Sequence, residues 1–423
     1  MNNDSPAARQ DAPVLANKNR RQAAMRFILV SVFIDVLGIG IAMPVIPLLV
    51  GEFTGTREAQ SYWYGALVIA YGVMQFVCAP LLGALSDRYG RRPILLWTLL
   101  GLGLHFLLLG LAPSLWLMLV ARVLGGMAGA SFSVAGAYAS DVTPAEARAK
   151  SFGLIGAAFG FGFIFGPVLG GLLGSIDLHL PFYVAAGLSL INATYGYFVV
   201  PESLPADRRS AFSFAKANPL AALTKLLRHK EVGGLVFVFA LLILAQLILQ
   251  TSWVLFTHFR FGWGARENGF ALFCVGLVAA LVQGGLMGRL LKRFGEVTLA
   301  LAGLASTTIA YLLYGLVEHA WLMYVVIFAN FLSFAAGPAL QALVSNAVGP
   351  KEQGVTMGAL NSINSIMFVV APAIGTPLLA AVGQLSPSDW RVGAPFFVSA
   401  LIACAGFVLA RRHFSPRVAT KPA

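Results

Sequence analysis

The chain is 423 residues long, with 58% hydrophobic and only 11% charged residues and a mean hydropathy of +0.80. No soluble globular protein of this length could bury so much apolar surface, so the composition predicts an all-α polytopic membrane protein. The formal net charge of +12 does not indicate a nucleic-acid partner, because the basic residues concentrate in short loops between apolar runs. The three cysteines lie inside those runs without the spacing of a metal site, so no metal centre is predicted.

Twelve apolar runs follow one another along the chain. Because a helix rises 1.5 Å per residue, about 20 residues cross the hydrocarbon core of a bilayer. The runs lie near residues 27–50, 62–85, 93–112, 115–139, 151–174, 181–200, 232–257, 269–291, 297–317, 320–345, 354–382 and 394–410. We therefore expect a tail, six spans, a polar connector, six further spans and a second tail, at residues 1–26, 27–200, 201–231, 232–412 and 413–423.

Lys and Arg residues lie almost entirely on one side of this arrangement. If both termini are on the same face, that face holds all the basic residues apart from Arg57, Arg122, Arg260, Arg266 and Arg391. Cytoplasmic loops of membrane proteins carry such an excess of positive charge. The sequence therefore predicts a protein of the inner (plasma) membrane with both termini in the cytoplasm.

The loop between the second and third runs is short and highly charged. It reads Gly-Ala-Leu-Ser-Asp-Arg-Tyr-Gly-Arg-Arg-Pro from Gly83 to Pro93. Gly90 can adopt the positive φ angle that ends a helix, and proline suits the first turn of the next helix. A similar segment, 288–295, occupies the same place among the last six spans. This repeat predicts two pseudo-symmetric six-helix halves with a substrate site between them near the midplane.

Three ionisable side chains lie near the middle of predicted spans. Asp35 is the only deep acid, Arg122 the only deep base and His105 the only deep histidine. A charge at the bilayer centre costs about 2.5–3.5 kcal/mol on the insertion scale, so each group should face a partner or a cavity. Asp35 is a candidate proton carrier, and a static pair between Asp35 and Arg122 is the alternative. His105 is either a proton relay, since histidine titrates near neutral pH, or a neutral histidine of the core.

The charged loop resembles the motif G-x-L-x-D-R-x-G-R-R, which joins the second and third helices in the major facilitator superfamily. The matching residues are Gly83, Leu85, Asp87, Arg88, Gly90, Arg91 and Arg92. The resemblance implies the major facilitator fold, with twelve transmembrane helices in two halves. It also implies that these residues gate the cytoplasmic side of a transporter.

Other spans resemble those of the drug–proton antiporters, most of all the tetracycline-efflux group. The segment from Ile34 to Pro47 resembles their first helix, and Ala121–Ala130 is similar to a fourth-helix motif whose arginine, here Arg122, is linked to proton coupling. The fifth span carries G-x-x-x-G-P-x-x-G-G, which looks like the antiporter signature. Its residues are Gly162, Gly166, Pro167, Gly170 and Gly171. This likeness implies export rather than uptake.

A few positions differ from the tetracycline-efflux group. Where many of its members carry an acid in the third helix, a histidine in the eighth and an acid in the ninth, this chain has His105, Ala279 and Thr307. The resemblance therefore leaves the substrate open. The remaining candidate cavity residues are neutral: Tyr71, Gln75, Gln246, Gln250, Gln283, Asn330, Gln341 and Asn361.

Together these features predict a proton-coupled antiporter that exports lipophilic or amphiphilic small molecules by alternating access. Its partners would be the substrate, protons and membrane lipid, with no cofactor beyond the proton gradient, and we expect a monomer. The alternatives are a proton symporter for metabolite uptake, a receptor and a membrane-embedded enzyme. The sequence contains no P-loop or catalytic triad, which argues against an enzyme.

Overall fold

A computed structural model of the chain describes residues 7–129, 131–210, 232–348 and 353–418. Within these ranges the chain is helical and contains no β-strand. The α-helices are, in chain order, α1 (Ala7–Ala42), α2 (Ile46–Glu52), α3 (Arg57–Tyr89), α4 (Arg91–Gly110), α5 (Leu115–Ala128), α6 (Ser131–Val142), α7 (Arg148–Gly174), α8 (Leu180–Val199), α9 (Gly233–Phe261), α10 (Ala265–Ala280), α11 (Met287–Leu316), α12 (Ala320–Ala329), α13 (Ser333–Asn346), α14 (Gln353–Val382) and α15 (Ala394–Val418). A π-helical stretch, Leu281–Leu286, joins α10 to α11.

Eleven helical stretches among the described residues are long and apolar enough to cross a membrane. The longest, Ala265–Leu316, has 52 residues, which is more than twice the length of one crossing. Gly295 interrupts it with a φ of 75°, inside the charged segment that the sequence predicts as a loop. This stretch therefore supplies two crossings, and the prediction of twelve spans in an all-α membrane protein is confirmed.

The predicted first span, 27–50, does not coincide with one helix. Helix α1 begins at Ala7, so most of the predicted tail continues the helix. The same helix ends at Ala42, and a turn at 43–45 separates it from α2. Pro44 accounts for the break, because proline has no amide hydrogen and clashes with the preceding turn of a helix.

The predicted spans 115–139 and 320–345 are also broken. Gly129 separates α5 from α6, and a turn beginning at Asn330 separates α12 from α13. Glycine and asparagine are both poor helix formers. A neighbouring helix binds each of them: the Gly129 carbonyl accepts a hydrogen bond of 3.2 Å from Gln75, and the Asn330 side chain accepts one of 2.8 Å from Ser306.

The chain between and beyond the spans is described in part. Helix α15 runs to Val418 and so extends into the predicted second tail. The predicted connector is described only up to residue 210, and its remainder, 211–231, lies outside the described residues. The first six residues, the segment 349–352 and the last five residues lie outside them as well.

The helices pack in two groups, α1–α8 and α9–α15. In the first group α1 lies along α7 and α8, while α3 lies along α5. In the second group α9 lies along α14 and α15, and α11 lies along α13 and α15. Between the groups, α7 packs against α10 and α3 packs against α14. These two pairs form the seam between the groups.

The seam is closed at one end of the molecule, which we call the opposite face. The other end carries the charged loop and is called the basic face. At the opposite face, a Cβ atom on Gly171 of α7 would lie 2.7 Å from the carbonyl oxygen of Ala265 on α10. Nearby, the guanidinium of Arg57 on α3 lies 5.2 Å from the ring centroid of Phe259 on α9. Backbone and side chains of the two groups are therefore in direct contact here.

Toward the basic face the same helices are apart. A Cβ atom on Gly153, Gly156 or Gly160 of α7 would meet nothing within 4 Å among the described residues. The same is true of Gly284 and Gly288, which lie beyond α10. We interpret this open space as a cleft between the two groups that is open to the basic face and closed at the opposite face.

Candidate functional site

Asp35 lies on α1 and is 5% exposed. Its Oδ2 atom accepts a hydrogen bond of 2.9 Å from the hydroxyl of Ser131 at the start of α6. Its Oδ1 atom is buried and has no hydrogen-bond partner among the described residues. A carboxylate only accepts hydrogen bonds, whereas a protonated carboxyl also donates one. Asp35 therefore has one oxygen held by the protein and one at which a proton can be taken up.

Arg122 lies on α5 and forms no ion pair with Asp35, both being among the described residues. Its guanidinium carbon is 4.1 Å from the centroid of the Tyr71 ring on α3. Its Nε atom donates a hydrogen bond of 3.3 Å to the carbonyl oxygen of Leu67, one turn earlier on α3. A cation within about 6 Å of an aromatic face is attracted to it. Helix α3, and not Asp35, holds this arginine.

His105 lies on α4 and is buried. Its Nδ1 atom is 2.6 Å from the carbonyl oxygen of Ala121 on α5, so this nitrogen carries a hydrogen and donates it. The ring packs against Gly125, where an added Cβ atom would lie 2.5 Å from Nδ1. The hydrogen bond joins α4 to α5, and no hydrogen bond connects His105 with Asp35 among the described residues.

Arg91 lies at the centre of the charged loop. It forms ion pairs with Asp87, at 2.5 Å, and with Asp141 at the end of α6, at 3.2 Å. Its Nη1 atom also donates a hydrogen bond of 2.6 Å to the hydroxyl of Ser86. The loop is therefore tied to α6 through one arginine.

Glu202, just after α8, is a residue of this loop network that sequence reasoning missed. Its carboxylate accepts hydrogen bonds from the backbone amides of Arg91, at 2.8 Å, and Arg92, at 3.3 Å. A carboxylate is favourable there because the first amides of a helix lack partners and carry partial positive charge. Gly90 makes room for it, since its φ is 105° and a Cβ atom there would strike the carboxylate. The only signal in the sequence is an acid directly after an apolar span.

The remaining arginines of the loop also contact only the first helix group. Arg92 donates a hydrogen bond of 2.6 Å to the carbonyl oxygen of Tyr197 on α8. Arg88 is exposed, and its guanidinium carbon lies 5.2 Å from the ring centroid of its neighbour Tyr89. With the basic face open, no contact of this loop reaches the second helix group among the described residues.

Two faces of α7 make close backbone contacts. On one face, a Cβ atom on Gly166 would lie 2.7 Å from the Cα atom of Gly40 on α1, and one on Gly162 would lie 2.9 Å from the carbonyl oxygen of Phe33. Gly170 continues this face toward Ile41, and Pro167 lies inside the helix beside it. Only glycine allows helices to approach so closely. The predicted antiporter helix is thus packed tightly on α1, while Gly171, on its other face, lies in the seam.

The eight predicted cavity residues differ in their exposure. Three are exposed: Gln246, Gln283 and Asn361. Three are partly buried: Gln75, Gln250 and Gln341. Tyr71 and Asn330 are buried, the first against Arg122 and the second in its hydrogen bond with Ser306. The exposed and partly buried amides provide a neutral, polar lining within otherwise apolar spans.

A family model described as Major Facilitator Superfamily matches residues 28–372 and 287–423 of the chain. The chain belongs to the major facilitator superfamily. Tetracycline resistance protein, class C, of Escherichia coli is 37% identical over 381 residues, which cover 90% of this chain and 96% of that protein. Tetracycline resistance protein, class B, also of Escherichia coli, is 34% identical over 393 residues, or 92% of this chain and 96% of that protein. Within the superfamily, the chain therefore belongs to the family of these resistance proteins.

Solved structures confirm the fold. A bacterial homologue of the human lysosomal transporter Spinster, described as inward-facing and unoccupied, has a TM-score of 0.72 at 16% identity, covering 94% of this chain and 98% of that one. The major facilitator fold that the sequence predicts is thus confirmed. Its relatives are transporters, so the prediction that this protein is not an enzyme is also confirmed. The resistance proteins support drug efflux, and the alternative of metabolite uptake is not favoured.

Proposed function

We propose that this member of the superfamily exchanges protons for a lipophilic or amphiphilic drug-like molecule, which it exports across the inner (plasma) membrane. The basic face and both termini lie in the cytoplasm, and the substrate enters the cleft from that side. The two helix groups move as halves joined by the connector 201–231. The protein works as a monomer, with no cofactor beyond the proton gradient.

The observation that carries this proposal is the buried carboxyl of Asp35 with one oxygen free. Because a charge at the bilayer centre is costly, a proton bound at Oδ1 stabilises the group there. The hydroxyl of Ser131 keeps the other oxygen in place. A substrate that enters the cleft while Asp35 carries a proton can favour release of that proton to the cytoplasm. This competition couples the movement of the substrate to the movement of the proton.

The lining of the cleft favours a neutral or cationic amphiphile over a metal chelate. Divalent hard cations prefer several oxygen ligands, above all carboxylates. Among the described residues, no group of three or more His, Cys, Asp or Glu side chains could hold a metal ion. At the ninth-helix position, Thr307 is buried and donates its hydroxyl to the carbonyl oxygen of Gly303 over 2.8 Å. Asp35 alone would have to serve both metal and proton.

The direct test uses inside-out membrane vesicles and ethidium, a fluorescent cationic amphiphile. An exporter driven by proton exchange accumulates ethidium in such vesicles when the lumen is acid, and a protonophore abolishes the accumulation. Vesicles without the protein are the control. A proton symporter for uptake would instead lose ethidium from an acid lumen, and that result would refute the proposed direction.

Removing magnesium tests the substrate class in the same vesicles. We expect ethidium accumulation to be unchanged by a magnesium chelator, because no group of three or more His, Cys, Asp or Glu side chains among the described residues could hold a metal ion. Tetracycline transport should be weak both with and without magnesium. Strong tetracycline transport that stops when magnesium is removed would contradict the proposed substrate class.

Replacing Arg91 with alanine tests the gate. We expect transport to fall about tenfold, since loss of the ion pairs with Asp87 and Asp141 removes a coupling of roughly 1–3 kcal/mol between loop and helices. Ethidium binding should hardly change, because the loop is at the surface. Arg411→Ala is the control, since that side chain is exposed on α15 and lies outside the charged loop. Equal losses of binding and transport in Arg91→Ala would indicate a general structural role.

A further inference from the structure

We propose that Tyr71 is a positioning residue for Arg122, and that Phe368 of the second helix group supports Tyr71 in that role. The inference rests on the proposed proton-coupled function and assigns Tyr71 a role other than substrate binding. Tyr71 would hold the arginine through the face of its ring. The placement of Arg122 would then depend on whether the seam between α3 and α14 is closed.

The ring of Tyr71 is built into a site for the guanidinium. Arg122 lies over the ring at 4.1 Å and is only 9% exposed. The second contact of the guanidinium, to the carbonyl of Leu67, comes from the same helix. A desolvated cation is attracted to an aromatic face more strongly than an exposed one. These two contacts from α3 replace the acidic partner that a buried arginine would otherwise need.

The hydroxyl of Tyr71 contributes little to this arrangement. It is buried and has no hydrogen-bond partner among the described residues. A Cβ atom on Gly129 would lie 2.5 Å from this oxygen, so glycine at the end of α5 leaves room for the ring. Removing a hydroxyl that has no partner costs little. The ring should therefore be essential and the hydroxyl dispensable.

Phe368 on α14 lies beside the ring of Tyr71. The two ring centroids are 6.4 Å apart. The next residue on α3, Gly72, also lies close to Phe368: a Cβ atom on Gly72 would be 2.9 Å from a ring carbon of Phe368. Helix α14 belongs to the second group, so opening the seam moves Phe368 away from Tyr71. A change at the seam can thereby reach Arg122 through the ring of Tyr71.

The test compares Tyr71→Phe with Tyr71→Leu. Substrate-driven proton release and ethidium transport are measured for each variant in the full-length protein. We expect Tyr71→Phe to stay within about twofold of the wild type, and Tyr71→Leu to lose about tenfold or more in proton release, because only leucine removes the cation–π contact. If Tyr71→Phe is as damaging as Tyr71→Leu, the hydroxyl acts on substrate or proton and the proposal is wrong. Wild-type behaviour of both variants would also refute it.

A second measurement does not depend on transport. The melting temperature in detergent is determined for Tyr71→Leu, Arg122→Gln and the double variant. If ring and guanidinium are partners, Tyr71→Leu lowers the melting temperature clearly in the wild-type background and much less in the Arg122→Gln background. Equal shifts in both backgrounds would show that the two side chains are not coupled. Absence of ethidium export by the wild type would overturn the proposed function but leave this cycle informative.

Phe368→Ala tests the link to the seam. We expect Phe368→Ala to lower proton release per ethidium several-fold, as Tyr71→Leu does. The double variant should release hardly fewer protons than Tyr71→Leu alone. Val370→Ala, two residues along the same helix and exposed, is the matched control. Normal proton release per ethidium in Phe368→Ala would show that the seam has no part in positioning Tyr71. If Tyr71→Leu fails to fold, the Phe368→Ala variant provides the test in its place.

Discussion

Replacing Asp35 with asparagine is expected to reduce substrate-driven proton exchange to the level of protein-free vesicles. Asparagine has nearly the same size and keeps an oxygen that can accept the hydrogen bond from Ser131, but it cannot take up or release a proton. Removing a group that can carry charge from the bilayer centre should not impair insertion. Proton release on adding ethidium, followed in weakly buffered detergent solution, gives the direct readout.

The control for this variant is Asp207→Asn. Asp207 is exposed in the described part of the connector. Its replacement by asparagine is the same chemical change, made outside the membrane. It should exchange protons normally. Asp35→Asn should still bind ethidium and show the melting behaviour of a folded protein. If Asp35→Asn accumulates ethidium against a gradient at the normal rate, Asp35 is not the proton carrier.

Replacing Gly171 with valine is expected to open the seam at the opposite face. The added Cβ atom would lie 2.7 Å from the carbonyl oxygen of Ala265 and 2.9 Å from the Cα atom of Gly269. Both are backbone atoms and cannot move aside without shifting α10. Overpacking of this kind costs about 1–3 kcal/mol, which shifts a conformational equilibrium by about 5- to 150-fold. Transport should fall because the conformation open to the basic face is disfavoured.

Cysteine labelling can measure the shift. Thr376 on α14 is buried in the seam against Gly65, so Thr376→Cys reports on opening. The native cysteines, at positions 78, 274 and 404, are replaced by alanine first. A membrane-impermeant maleimide added from the opposite face should label this cysteine faster in Gly171→Val than in the parent. Gly187→Val is the matched control, because a Cβ atom there meets nothing within 4 Å. Equal labelling of both variants would contradict a role of Gly171 in closing the seam.

Hydropathy alone determined the class of protein and the number of crossings. In a bilayer every backbone polar group must be satisfied within the chain, so an apolar run of about 20 residues becomes a helix whatever its neighbours are. The same physics makes Asp35 visible in the sequence, since an acid in such a run is costly enough to need a reason. Where one residue interrupts the helix within an apolar run, as Pro44 does after α1, the predicted boundary differs from the observed one.

The partners of the buried groups were decided only by tertiary structure. The sequence left open a static pair between Asp35 and Arg122, but the arginine lies on the ring of Tyr71 and donates a hydrogen bond to the carbonyl of Leu67. Glu202 likewise reaches the amide of Arg91 from the far end of the first helix group. Such contacts depend on how each helix is rotated about its axis, and an apolar run does not specify that rotation.

The open and closed ends of the cleft were also beyond the sequence. Gly156 and Gly171 are glycines of the same helix, and although only Gly171 belongs to the antiporter signature, the sequence does not show which of them packs against the second helix group. In the structure, Gly171 is packed on the backbone of α10, whereas Gly156 has open space beside it. A transporter of this fold must allow both ends to close in turn, so the sequence encodes glycines for two packings. Only the tertiary structure shows which of the two is formed.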